Sequence, residues 1–430
     1  LRAASTVNNI SVQVLATGLG LTGSVLQARW LGPDNRGLLA LVMLYPSLAY
    51  LVLNFGIFAS TTYLSSKEDT NIGKLWSALL VLCGIQTIIA FSIGRLLIAW
   101  LLNRYETDTI LLSQHFLITV PLALLAAYAQ SILRGRKHFA INNALKLIIP
   151  IGYCLITSVL YINNTMSVKL LVYSQIVLQF CTCVASMVVL LRYEVIQLSG
   201  RVFIEIKELL SYGARLWLSE MTEVVNGRLD QIMIGSYLNT ATLGIYNIAV
   251  SYANLSTILA NGVRQIMLPY VSATQEQTDK HTEVYLFFNR FWPLSLLQLV
   301  CMLVGAAYLV PVLFGEAYRE AILPAQMLSI VFLFLNAKNV LSTALQGLGK
   351  PGETATVDTV GLGLTLLLMT YLNSALTLWT IVLILGVVYL VQFIVTLYYI
   401  SINGLITRRL LFQFKLSLFI HANFKWLRQS

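Results

Sequence analysis

Along most of this chain the apolar residues neither alternate with polar ones nor recur on one helical face. They run unbroken for about 20 residues at a time, the length that crosses a ~30 Å hydrocarbon layer as a helix. Clusters of charge, Pro and Gly separate the runs. Splitting there predicts twelve spans, roughly 7–30, 37–63, 75–101, 112–133, 139–162, 167–191, 210–237, 241–271, 284–314, 321–346, 354–372 and 375–401. Transmembrane barrels are built from alternating segments of about ten residues, so continuous runs of twice that length predict helices. The pattern is that of an all-α integral membrane protein.

Composition agrees, since 57% of the 430 residues are hydrophobic and 11% charged. So few charges could not coat a water-facing surface, which excludes a soluble enzyme. The net charge of +10 could suggest nucleic acid, but the cations are scattered through short loops. No nucleic-acid partner is expected, and the cations read as topology signals. If both termini face the cytoplasm, the inner loops and tails hold Arg2, Lys67, Lys74, Arg134, Arg136, Lys137, Arg192, Arg201, Lys207, Lys280, Lys350, Arg408, Arg409, Lys415, Lys425 and Arg428, and the outer loops hold Arg36, Arg104 and Arg319. That bias orients the chain with both ends inside. The tail from Thr407 to Arg428 mixes Leu, Phe and Trp with Arg and Lys, the composition of an interfacial amphipathic helix.

The two halves look duplicated. At an offset of 207 residues, Leu31, Gly37, Tyr45, Leu48, Asn54, Tyr63 and Ser65 superimpose on Leu238, Gly244, Tyr252, Leu255, Asn261, Tyr270 and Ser272. Six spans per copy is an even number, so both copies enter from the same side, a parallel repeat with its pseudo-two-fold axis along the membrane normal. The expected organisation is a six-helix lobe at 1–200, a second at 201–401 and a basic tail at 402–430.

Ionisable residues at bilayer depth cost at least ~2.5 kcal/mol each on insertion scales, so each needs a wet cavity, a partner or a function. The seventh span is richest in them. At helical spacing Ser219, Glu220, Glu223, Asn226, Gly227 and Asp230 form one stripe, with Arg228 beside it. Either these carboxylates pair with cations on neighbouring helices or they line a cavity that binds a coupling H+ or Na+. Lys146, Arg264 and Lys338 each lie roughly 12 Å inside the cytoplasmic end of their spans. They could form a cationic layer for an anionic headgroup, or each could snorkel back to the interface. Cys83, Cys154, Cys181, Cys183 and Cys301 all sit inside apolar runs and define neither a disulfide framework nor a metal site. Gly347, Gly349 and Gly352 formally match a dinucleotide fingerprint, but they occupy a short loop with Pro351 inside it and no preceding strand. No cofactor, catalytic residue or enzymatic activity is expected.

Several segments resemble the bacterial Wzx-like polysaccharide flippases, within the superfamily that also holds multidrug exporters and the lipid II flippase. They are the turn Ala28-Arg29-Trp30-Leu31-Gly32-Pro33-Asp34-Asn35-Arg36-Gly37, the stretch from Arg228-Leu229-Asp230 through Gly235 to Leu243-Gly244-Ile245-Tyr246, and the loop Gln346-Gly347-Leu348-Gly349-Lys350-Pro351. The resemblance covers essentially the whole chain. It implies two six-helix lobes in the bacterial inner membrane that flip an undecaprenyl-diphosphate-linked oligosaccharide by alternating access, for surface polysaccharide such as O-antigen or exopolysaccharide. It also implies cavity cations at the diphosphate, drive by an ion gradient, and a polysaccharide polymerase and glycosyltransferases as working partners. The lipid II branch tends to carry arginines inside its first two spans. Here the interior of the first span carries Gln13, Thr17 and Thr22 instead, which argues against that branch. The seventh-span carboxylates leave a cation-coupled multidrug exporter as the alternative.

Overall fold

The computed structural model describes residues 2–67, 70–194, 202–273, 277–372 and 376–403, and all regular structure among them is helical. The α-helices are α1 (Arg2–Leu53), α2 (Ile57–Ser65), α3 (Ile72–Leu101), α4 (Thr107–Phe116), α5 (Thr119–Gly135), α6 (Phe139–Ile162), α7 (Val168–Tyr193), α8 (Phe203–Asn226), α9 (Leu229–Tyr237), α10 (Thr240–Ala253), α11 (Thr257–Ala273), α12 (Gln277–Phe314), α13 (Ile322–Gly347), α14 (Pro351–Tyr371) and α15 (Leu378–Ile402).

Among the described residues, ten stretches are long and apolar enough to cross a membrane, and two local features bring the crossings to the expected twelve. First, α1 is two helices in one. At Gly32 the backbone turns to φ 69°, ψ 177°, because Pro33 disfavours the helical region for the residue before it and glycine accepts a positive φ without a Cβ clash. Second, α8 and α9 form one crossing interrupted at 227–228, whose charged residues disqualify it on hydropathy alone. Other crossings are interrupted too: α1 runs into α2 through a turn at 54–56, and α4 into α5 through one at 117–118. In the first of these turns Phe55 has φ 49° and Gly56 φ 70°. Asn54 holds that turn by accepting the Phe58 N–H through its side-chain Oδ1 at 3.1 Å.

The outward faces suit lipid. Ile88 is 68% exposed, Leu96 73%, Val304 61% and Leu367 68%. In water, apolar exposure on this scale would mark an aggregation or docking surface, whereas acyl chains cover it without cost. The chain is a multi-pass membrane protein.

By contacts the chain forms two units, Leu1–Ile248 with Pro311–Glu320, and Ala249–Val310 with Ala321–Ser430. In the first, Leu31, Leu39, Val42, Phe116, Leu171 and Val172 form a buried core between α1, α4 and α7. Arg29, on the first half of α1, donates through Nε to the Leu313 carbonyl at 2.9 Å. It therefore caps the C-terminal end of α12, where a cation is favoured by the unpaired carbonyls. In the second unit, Met267, Val284, Phe291, Leu341, Leu345 and Ile400 make the core. Trp292 stacks on Phe393 with ring centres 5.8 Å apart.

Candidate functional site

The three cations singled out by depth are divided between the two units, Lys146 in the first and Arg264 and Lys338 in the second. Lys146, on α6 in the first unit, is exposed and borders a cavity of about 350 Å³ whose wall also includes Tyr50, Gln130, Gln175, Gln179 and Thr182. Arg134, at the end of α5, is close enough to act on its charge. Among the described residues, no carboxylate lines this cavity.

Arg264 and Lys338 belong to the second unit. Arg264 donates through Nε to Thr343 Oγ1 at 2.9 Å, so α11 is tied to α13. Lys338 is buried on α13, and its Nζ lies 2.8 Å from Asp358 Oδ1 on α14, with side chains 6% and 9% exposed. A desolvated ammonium needs a counter-charge, and here another helix supplies it. Asp358 went unnoticed in the sequence because the short loop marks α13 and α14 as neighbours but does not fix which face each turns to the other.

Of the seventh-span stripe, the side chains of Glu220 and Glu223 lie outside the described residues. Arg228 and Asp230 are described. The break at 227–228 starts a new helix, and Asp230 sits in its first turn, where a negative charge meets the unpaired N–H groups. Its Oδ1 accepts the Gln231 backbone N–H at 2.8 Å. The Tyr246 hydroxyl of α10 donates to its Oδ2. Arg228 donates to Gln231 Oε1 at 2.9 Å. These bonds make Asp230 a buried joint between α9 and α10.

In the first unit α1 and α10 approach backbone to backbone. A Cβ on Gly37 would overlap the Thr240 carbonyl oxygen and stand 2.9 Å from the Gly244 nitrogen. A Cβ on Gly244 would in turn overlap the Pro33 carbonyl oxygen and stand 3.1 Å from the Gly37 nitrogen. Pro33 and Thr240 are separated by the same 207 residues as Gly37 and Gly244. The repeat-related residues thus meet one another, as residues do at a two-fold axis. Nearby, Tyr45 and Ser236 hydroxyls are 3.0 Å apart, and the Tyr105 hydroxyl donates to the Gly235 carbonyl at 2.7 Å. Burial raises the Tyr105 hydroxyl above the usual phenol range, which keeps it a neutral donor.

Arg36, read from sequence as an outer-loop cation, is instead half-buried one turn inside the second half of α1. It donates to Gln27 Oε1 at 2.9 Å and to Ser24 Oγ at 3.2 Å, with Tyr153 and Tyr318 close to its charge. Its Nε has no partner among the described residues.

The opposite end of the same span is packed as closely, against α8. A Cβ on Gly56 would overlap the Gly213 carbonyl of α8, Phe55 packs on Trp217 at 4.7 Å, and Tyr63 stacks on Tyr212 at 4.5 Å. Trp217 Nε1 donates to the Val52 carbonyl at 3.0 Å.

Solved structures share this arrangement of helices. The chain is similar to a lipid II flippase, MurJ, in an inward closed conformation, at TM-score 0.76 and 12% identity, covering 91% of this chain and 86% of that one. It is also similar to an inward-facing MATE family multidrug resistance transporter of the MOP superfamily, at TM-score 0.66 and 14% identity over 93% and 98% of the two chains. The MATE multidrug transporter DinF-BH matches at TM-score 0.66 and 15% identity over 93% and 94%. At these identities the likeness establishes the fold. No curated protein matches by sequence. The model of one family, described as polysaccharide biosynthesis protein, matches residues 26–323, more than half of the chain and including the Gly32 turn and the Gly37–Gly244 contact, so this protein belongs to the polysaccharide biosynthesis protein family.

Proposed function

We propose that the protein flips an undecaprenyl-diphosphate-linked oligosaccharide from the inner to the outer leaflet of the bacterial plasma membrane, supplying surface polysaccharide assembly. The observation that carries this reading is Lys146 on a cavity with no carboxylate among the described residues of its wall, inside a twelve-span chain of a polysaccharide biosynthesis family. An anion entering a low-dielectric cavity must be repaid for its lost hydration, and an ammonium facing no carboxylate does this, whereas it repels a cationic drug. Arg264 is the second headgroup cation in this reading. Lys338 joins them only in a state where Asp358 releases it. Alternating access would move the repeat halves 1–200 and 201–401. Glu220, Glu223 and Asp230 are the candidates for coupling to H+ or Na+, and the same carboxylates are what favour the second reading, a cation-coupled exporter.

Complementation of a flippase-deficient strain, with expression checked by blot, tests the assignment. Lys146→Gln is expected to weaken headgroup capture by about 1–3 kcal/mol, the scale of a charge-assisted hydrogen bond, and to impair export. Lys67→Gln, whose ammonium rests on the Tyr63 ring, should export normally. Full export by Lys146→Gln would remove this cavity from the transport path.

The orientation, with both termini cytoplasmic, has its own test. Lys137, Lys350, Arg104 and Arg319 are all exposed. Changed singly to Cys, the first two should react with an impermeant maleimide only in inverted vesicles and the last two only in intact cells. Same-side labelling of positions 104 and 137 would break the twelve-span map.

A further inference from the structure

We infer that the Lys146 cavity is a sugar-reading site, in which Gln130, Gln175 and Gln179 bind the hydroxyls of the single sugar attached to the anionic group. This rests on the proposed function and adds to it the residues that set glycan selectivity. Three helices bring polar positions to one wall. On α7, Gln175, Gln179 and Thr182 recur at helical spacing and share a face. On α5, Thr119 and Gln130 flank Ala123, Ala126 and Ala127, whose small side chains leave the space open. Lys146 projects from α6.

Amides in an apolar bundle cost free energy unless they are hydrogen-bonded. Gln130 donates to Ser186 Oγ at 3.1 Å, but the buried Gln175 Oε1 has no partner among the described residues. That oxygen is shielded in this rotamer, and a turn of the amide would bring it to a ligand hydroxyl in the cavity. Each amide presents a donor and an acceptor side by side, which complements neighbouring hydroxyls that both donate and accept. The Tyr50 and Phe116 rings supply flat apolar surface for the C–H face of a sugar.

Size narrows the ligand further. Cavities for small ligands span about 300–1,000 Å³, and this one, at about 350 Å³, has room for one ring beside a phosphate rather than for an oligosaccharide. The rest of the glycan would have to lie outside it.

The full-length protein in nanodiscs, titrated with undecaprenyl diphosphate, with the same lipid bearing one glucose, galactose or N-acetylglucosamine, and with free glucose 1-phosphate, tests this. At least one glycosylated lipid should bind more tightly than the bare lipid. Gln175→Leu and Gln179→Leu should each weaken that preferred lipid by about tenfold, the loss of one or two hydrogen bonds, and so narrow its preference over the bare lipid. Ala127→Leu, which fills the space without touching a polar group, should do the same. Lys146→Gln should weaken both lipids. Equal binding of all lipids by the parent, or parental preference in both glutamine variants, overturns sugar reading while the flippase assignment stands. Binding of glucose 1-phosphate in preference to every lipid makes the ligand a soluble sugar phosphate and overturns both. Failure of every probe to bind the parent also overturns both.

Discussion

Gly37→Ala and Gly244→Ala are each expected to open the contact between α1 and α10 and to cripple transport, although each adds a single methyl group. The obstacle to either Cβ is a backbone carbonyl, of Thr240 or of Pro33, so no rotamer change can relieve it and the helices must separate. Overpacking of this kind costs about 1–3 kcal/mol, a shift of about 5- to 150-fold in the closed-to-open ratio. The readout is a disulfide between cysteines placed at Asp34 and Thr240, where the Thr240 hydroxyl donates to Asp34 Oδ1 at 3.3 Å. It should form readily in the parent and poorly in both alanine variants, with loss of complementation alongside. Undiminished crosslinking in both would mean that this close approach does not exist in the membrane. The contact suits lipid, where small residues let backbones touch because apolar burial gives helices no preference for one another.

The second large effect concerns Lys338 and Asp358. Removing one partner takes the ion pair from a charge that is 6% or 9% exposed, so Lys338→Met or Asp358→Asn should destabilise the protein by about 3–5 kcal/mol. A lower melting temperature in detergent and weak expression would report this. The double variant Lys338→Met, Asp358→Leu should recover most of the stability, since apolar pairs of similar volume replace buried ion pairs at little cost. If the double variant is stable and still complements, the pair is structural and headgroup capture is left to Lys146 and Arg264. If it is stable but dead, the charges act in the transport cycle. Equal melting temperatures for the parent and both single variants would show that the pair is not buried.

Some of the local chemistry was legible residue by residue. Gly32 followed by Pro33 announces a break between crossings, and a break occurs there. The 207-residue offset matched Gly37 to Gly244, and these two glycines touch. Asp230 was singled out as an intramembrane carboxylate, and its surroundings are a helix N-terminus and Tyr246, which counting charges along one span could not reveal. Arg36 was misplaced in a loop because the second crossing begins at Pro33, four residues earlier than its apolar run. The glutamines of the cavity carry no charge and so passed unnoticed, although Gln175, Gln179 and Thr182 already share a helical face.

What the linear sequence determined is what transfer free energy and local backbone preference decide: helices, their number, their breaks and their duplication. Each depends on a residue and its neighbours within a few turns, and a bilayer enforces it by leaving no backbone group unpaired. Tertiary structure alone decided the partners. Lys338 met Asp358 because α13 packs on α14, Arg264 met Thr343 because α11 packs on α13, and Lys146 borders a cavity with no carboxylate among its described residues because α5, α6 and α7 bring small and amide side chains to its wall. Which side chains meet depends on how each helix is rotated against the ones it packs on, even when those are its neighbours in the chain. A buried charge takes its role from the neighbour that packing supplies, whatever its depth in the membrane.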